Sequence, residues 1–596
     1  MKLNMRNTVF ASIMTGALLL AGCSAKSANE PTEAQAASAG SENTITLSGS
    51  TASCSSASVT IDGSTIKITG AGTYELTGTL DDGMVIVDAG DEDDVELILN
   101  NASITSGISA AIYIASCDDA AITLAAGSEN TLASGGSFEA IDEKNIDGAI
   151  YATKDLTLSG DGSLNVTSPA GHGIVAKDDL TVSGGTYTIT AASHGVTAKD
   201  NALLEDGAFT IEAGKDGIHC ENTDDETLGN LTISGGSYAI TADGDGFSAS
   251  GSLTVADGVI DVTAGGGSAS VTHSDAGFGW NGQTSNTDSA SAKGLKAEGD
   301  LTVTGGTITV DSADDALHSN ANVTVSGGEV TLSSGDDGIH ADGNTTISAG
   351  TVTIPASYEG IEGQTITISG GAISVVSSDD GLNAAGGNDA SGNGGFFGGN
   401  PFDSDASAEI LIEGGTLYVN AGGDGIDSNG TITMTGGQVF VSGPTNSGNG
   451  ALDYGISATI TGGTIVAAGA SGMAENFTSA EGQGAMLVST GAQQAGSTIQ
   501  LADASGNVLL TWQPEKAYEC VVISTPDVQQ GGAYTLTAGS GTQTIEMTSA
   551  VYGGGMGMGG MGGQPGQMGQ PGEMGQMGGQ PGQMGGGRPG GGMGRP

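Results

Sequence analysis

An acidic residue returns at a nearly fixed interval: Asp315, Asp337 and Glu359 stand 22 residues apart, and Asp380 follows after 21. The residues between them repeat one order of small, apolar and glycine positions, roughly D-G-I-x-A-x-G-x-Φ-T-Φ-x-G-G-x-Φ-x-Φ-x-(S/A)-x-D. The position can be followed through Asp147, His172, His194, Asp216, Asp245, Lys293, Asp315, Asp337, Glu359, Asp380, Asp424 and Tyr454. A unit this short cannot bury an apolar face alone, so it must stack on its neighbours.

Each unit holds two runs of alternating apolar residues. Val323-Thr324-Val325 and Val330-Thr331-Leu332 flank the turn Ser326-Gly327-Gly328. Alternation at period two predicts strands with one buried face, and paired glycines suit corners that need positive φ. Strand and corner at a fixed period predict an all-β fold, a parallel β-helix of about 22 residues per coil. Longer steps mark inserts at Asn222–Gly229, Gly266–Ala290 and Gly387–Ala408.

The ends differ from the repeats. Residues 1–23 carry Lys2 and Arg6, an apolar stretch, and then Leu20-Ala21-Gly22-Cys23. This resembles a bacterial lipoprotein signal with Cys23 as the acylated residue, which implies an extracellular chain held to the cell membrane by lipid. Residues 24–43 are a polar linker, and residues 44–472 are the stacked domain. Residues 473–550 suggest short antiparallel strands capping its end: Ala485–Ser489, Val508–Trp512, Cys520–Ser524 and Tyr534–Ala538. Residues 551–596 are nearly all Gly, Met, Gln and Pro, a composition that cannot build a core.

Fourteen basic and 68 acidic residues give a formal charge of −54, which excludes nucleic acid as a partner. Carboxylates stacked about 4.8 Å apart repel one another, so cations are expected among them. Paired acids recur before the glycine, and a further polar side chain follows three residues on. Asp243, Asp245, Asp314, Asp315, Asp336, Asp337, Glu359, Asp379, Asp380, Asn383, Asp424 and Asp427 are the candidate ligands. Hard oxygen donors on adjustable corners suit Ca²⁺. Asp-Gly also makes good turns, and that alone is a competing reason for the acids. Isolated histidines, one per unit and without cysteine partners, make only a weak case for zinc. The scattered Cys54, Cys117, Cys220 and Cys520 give no disulfide expectation.

The units Asp336-Asp337-Gly338-Ile339-His340-Ala341 and Ser378-Asp379-Asp380-Gly381-Leu382-Asn383-Ala384, with the phased Ser-Gly-Gly turns, resemble a carbohydrate-binding β-helix family typified by a clostridial cellulose-binding surface protein. That family is similar in fold to calcium-dependent pectate lyases. The resemblance implies right-handed coiling, bound Ca²⁺ and binding of cellulose or pectin-like glycans.

Outward strand positions are mostly threonine, but Tyr418 and Phe440 share one outward slot on neighbouring units, and Phe278 and Trp280 lie in an insert. These four are the candidate sugar-stacking residues, unless the C-terminal strands cover the first two. A lyase would need a basic residue to remove a proton, and Lys154, Lys177 and Lys199 form a short ladder. Each is followed by an aspartate, and no arginine occurs in the repeats, so a monomeric polysaccharide-binding protein is expected ahead of a lyase or a structural adhesin.

Overall fold

The computed structural model describes residues 41–141, 144–272, 291–385 and 404–554. Cys23, Phe278, Trp280, the 1–40 leader and linker and the tail from 555 lie outside them. No α-helix occurs among the described residues, and most strands lie in parallel sheets.

Stacking follows the repeat. Val323–Val325 pairs in parallel with Leu301–Val303 on one side and Asn344–Ile347 on the other. Glu329–Ser334 pairs with Thr307–Ser312 and Thr351–Ala356. These are the two predicted strands, and their apolar residues are fully buried: Val323, Val325, Val330 and Leu332 are each 0% exposed.

The unit also has a third strand that alternation did not reveal. Ile339–Ala341 joins a 16-stranded sheet between Leu317–Ser319 and Ile361–Glu362. Three residues are too few for a period to show, and Ile-His-Ala carries no run of apolar residues. The acid that opens each unit therefore does not sit in a loose corner. It stands two residues before a buried strand, and Asp315 and Asp337 are themselves buried.

Two glycines explain the turns. Gly328 has φ +87°, and a Cβ on Gly327 would lie 2.2 Å from the Thr304 carbonyl oxygen of the preceding unit. One glycine supplies a left-handed backbone, and the other lets two turns stack in contact.

The column traced by the repeat needs correction at both ends. Register places Gly148, not Asp147, opposite His172. Ser428 pairs with Tyr454, so the counterpart of Asp424 is Gly450 rather than Tyr454. An irregular step length hid both shifts.

Beyond the repeats, Thr464–Gly469 pairs antiparallel with Tyr518–Thr525, which pairs in turn with Gly484–Gln493. Ile499–Asp503, Val508–Trp512, Ala533–Ala538 and Gly541–Glu546 form a four-stranded antiparallel sheet. Ile499–Asp503 and Gly541–Glu546 were not foreseen, because the alternation of Ile499 and Leu501 is only three residues long and Gly541–Glu546 has a single apolar residue, Ile545. A second apolar cluster joins this region to the stack through Val466, Met486, Val521 and Ile523.

Removing apolar volume from the stacked interior is costly because neighbouring units fix its walls. Ile339→Ala is expected to lose about 2–5 kcal/mol, whereas Thr331→Ala, on the outward face, stays within about 0.5 kcal/mol. Local stability by amide hydrogen exchange of the two variants checks this.

Candidate functional site

The acidic column is first of all a ladder. Asp216 accepts the backbone N–H of Asp245 at 2.8 Å, Asp245 that of Lys293 at 2.8 Å, and Asp315 that of Asp337 at 3.0 Å. Asp380 accepts the N–H of Asp424 at 2.6 Å, and Asp424 that of Gly450 at 2.5 Å. One oxygen of each carboxylate thus ties its unit to the next, a charge-assisted bond stronger than a neutral one. The other oxygen is left to find a positive partner.

For part of the column the chain supplies that partner itself. The Lys293 ammonium lies 2.9 Å from Asp314 and 2.8 Å from Asp315. His318 Nδ1 is 2.8 Å from Asp315. His340 Nδ1 lies between Asp337 at 3.0 Å and Glu362 at 2.8 Å. Burial works against a charged imidazole, but these two carboxylates outweigh it and push His340 up to about 12. Lys296 approaches Asp245 at 3.8 Å. Asp314, Asp315 and Asp336 do converge, yet Lys293 already provides charge there.

Further along, the partners end. Asp380, Asp424 and Asp427 bring carboxylate oxygens within 4.8 Å of one another, and none is paired with a basic side chain among the described residues. Burial, added to by neighbouring Asp453 and Asp379 and only partly offset by the Gly450 N–H, raises Asp424 to about 7. Burial and adjoining carboxylates hold Asp380 and Asp427 well above the ordinary range. Nearby Glu475 is pushed up to about 7 by burial and by Asp453 and Asp424.

A polar atom without a partner sits in the same row. Asn383 is in register with Asp427, which is in register with Asp453. Its Nδ2 donates to Glu359 at 2.8 Å, while its buried Oδ1 accepts nothing. The three converging carboxylates, with Asn383 in register beside Asp427, are hard oxygen donors of the kind that fit Ca²⁺.

The remaining candidates separate by position. Asp243 is exposed, and Asp379 is partly exposed beside the cluster. Glu359 is buried against Asn383, and burial with Glu362 alongside raises it to about 8. Asp453 and Glu475, absent from the sequence-derived ligands, belong to this neighbourhood. The signal for Asp453 was its place three residues past the column, obscured by the shift at Gly450.

Tyr418 and Phe440 do share an outward slot. They pair in register and their rings stack at 5.1 Å, inclined by 12°. Tyr418 is 43% exposed. Trp512, from the antiparallel region, approaches Phe440 at 5.7 Å and extends the row. The C-terminal strands therefore cover Phe440 in part, leave Tyr418 open and add a third ring. Two residues past Tyr418, Asn420 donates to Glu515 at 2.7 Å while its Oδ1 is buried without a partner. No sequence period links Trp512 to the other two, so only the fold brings it there.

Of the lysine ladder, Lys177 lies over the Tyr151 ring at 5.5 Å, and Lys199 is bonded to Asp224 at 2.8 Å. The Asp224 bond raises Lys199, which opposes its use as a base.

Residues 62–338 match a family model described as carbohydrate-binding domain-containing protein. The carbohydrate-binding family resemblance holds. A carbohydrate-binding domain-containing protein of Acetivibrio thermocellus is 33% identical over 185 residues, which are 30% of this chain and 63% of that protein. The chain thus spans less than two thirds of that relative's length. A solved polysaccharide lyase-like protein from C. thermocellum, a gadolinium derivative, is 26% identical with a TM-score of 0.34, covering 45% of this chain and 93% of that one.

The raised carboxylates give a signed prediction. A group whose folded pKa exceeds its unfolded value stabilises the fold below the unfolded value and loses that contribution as pH rises through the folded value. For Asp424 this window runs from 3.8 to about 7. In chelator the melting temperature should therefore fall between about pH 4 and pH 8, and Ca²⁺ should abolish most of the fall. Thermal melts across that range, with and without Ca²⁺, and in Asp427→Asn, check it.

Proposed function

We propose that this is a polysaccharide-binding protein whose repeats form a right-handed parallel β-helix stabilised by Ca²⁺ at Asp380, Asp424 and Asp427. The observation that carries the reading is the aromatic row of Tyr418, Phe440 and Trp512, which is open to solvent at Tyr418. Tyr418 and Phe440 stack on one another and Trp512 is tilted by 45° against Phe440, so the outer side of the 43% exposed Tyr418 is the apolar surface of the kind a sugar ring covers. Asn420 and Glu515 beside them supply hydrogen-bonding groups. The match of residues 62–338 to a carbohydrate-binding family points the same way.

Calcium and glycan are linked by position. Tyr418 lies on Thr416–Ala421, immediately before Asp424, and both belong to one unit. Neutralising Asp380, Asp424 and Asp427 should hold that strand in register and keep the aromatic row in place. Asn383 would join the three aspartates as a ligand through its free Oδ1. The lipoprotein reading of Cys23 would place this surface outside the cell, tethered by lipid.

Charge favours a neutral glucan such as cellulose. An anionic pectin would be repelled by a chain of −54 unless Ca²⁺ bridged the two. A lyase is the second reading, and the Lys199–Asp224 pair argues against it.

Retention on insoluble cellulose and on pectate, each with Ca²⁺ and with chelator, tests the proposal. Tyr418→Ala and Trp512→Ala should each weaken retention about tenfold, equivalent to about 1.4 kcal/mol. Unchanged retention in both would sink the aromatic-row assignment. Unsaturated product from pectate would transfer the protein to the lyases.

A further inference from the structure

The stretch of column ahead of Lys293 carries imidazoles instead of runs of carboxylate. His194 Nδ1 and His219 Nδ1 converge on one oxygen, Asp216 Oδ2, at 3.2 and 2.7 Å. The three atoms lie within 4.8 Å of one another. The two rings stack at 4.4 Å, and His172 continues the stack at 5.1 Å from His194.

The hydrogen bonding leaves both nitrogens ready to ligate. His194 Nδ1 accepts the backbone N–H of Asp216 at 3.2 Å, so it carries a lone pair while facing a carboxylate oxygen at the same distance. Two electron-rich atoms held that way need a positive centre beside them. His219 Nδ1 is buried and makes no aligned hydrogen bond, although Asp216 Oδ2 is only 2.7 Å away. Its Nε2 instead lies 3.4 Å from Glu221. A carboxylate on the far nitrogen fixes the tautomer that frees Nδ1, which is the usual support for a metal-bound histidine. Asp216 Oδ1 is held by the Asp245 N–H, which fixes the carboxylate.

We propose that His194, Asp216 and His219 form a binding site for a zinc-type divalent cation, separate from the calcium-type carboxylate cluster. Bond lengths near 2.0–2.1 Å place tetrahedral ligand atoms about 3.3 Å apart, close to the separations found here. Two imidazoles select borderline metals over Ca²⁺. The side chains are 14%, 14% and 20% exposed, so the cluster lies just beneath the surface.

The test is calorimetric titration of Zn²⁺ into the full chain, carrying no histidine tag and freed of metal, in excess Ca²⁺. The visible spectrum of the Co²⁺ form is recorded in parallel. One Zn²⁺ per chain should bind, and Co²⁺ should give the intense absorption of a tetrahedral nitrogen–oxygen site. His194→Ala and His219→Ala should each weaken binding at least tenfold and abolish that absorption. Asp216→Asn, which keeps an acceptor for the Asp245 N–H, should do the same with the fold intact. His318→Asn, at the other histidine pair, should leave both signals unchanged. Equal Zn²⁺ affinity in the His194, Asp216 and His219 variants would overturn the assignment. So would displacement of Zn²⁺ by Ca²⁺, or a weak octahedral Co²⁺ spectrum from the unsubstituted chain.

Discussion

Everything in the stack depends on how a buried column of carboxylates is neutralised. Parallel pairing in strict register puts the same position of every unit one strand spacing from its neighbours, about 4.8 Å away. An aspartate is useful there because one oxygen accepts the next unit's N–H, as Asp315 does for Asp337. The same stacking makes the aspartate a problem, because its charge is repeated at every rung. The chain meets this differently along its length. Two imidazoles flank Asp216, Lys293 and His318 serve at Asp315, and His340 serves at Asp337 and Glu362. Around Asp380, Asp424 and Asp427 no basic side chain serves among the described residues, and that is where the proposed external cation would sit.

That division sets what the surface can do. The unit carrying Asp424 also carries Tyr418, and its neighbour carries Phe440. A strand that presents a flat ring must be held in register, and here its register is tied to the least neutralised part of the column. Stability and the proposed recognition surface therefore converge near the C-terminal end. The antiparallel strands that follow cover part of the row and contribute Trp512 to it. Closing the stack and completing the aromatic row are one structural event.

Much of the fold was legible because repetition amplifies a weak signal. A single Val-Thr-Val says little, but Val323-Thr324-Val325 recurring each unit with Ser-Gly-Gly after it identifies two strands and their turn. The Ile339–Ala341 strand escaped because three residues with one histidine show no period. The acids were correctly singled out, but as corner residues. Their burial at Asp315 and Asp337 depends on the third strand that the alternation could not show. Where a step length changed, the column slipped, and Asp147 and Tyr454 were assigned in place of Gly148 and Gly450.

By itself, the sequence determined the repeat, the buried strand faces, the excess of stacked acid and the pairing of Tyr418 with Phe440. Each of these is a periodic property, and a period survives without knowledge of what lies across the molecule. Only the tertiary structure decided which carboxylates have a cation beside them, that two imidazoles meet at Asp216, and that Trp512 joins the aromatic row. Those depend on distances between residues whose separation in sequence has no fixed interval. Burial then changes the energy of a charge by more than any local pattern records.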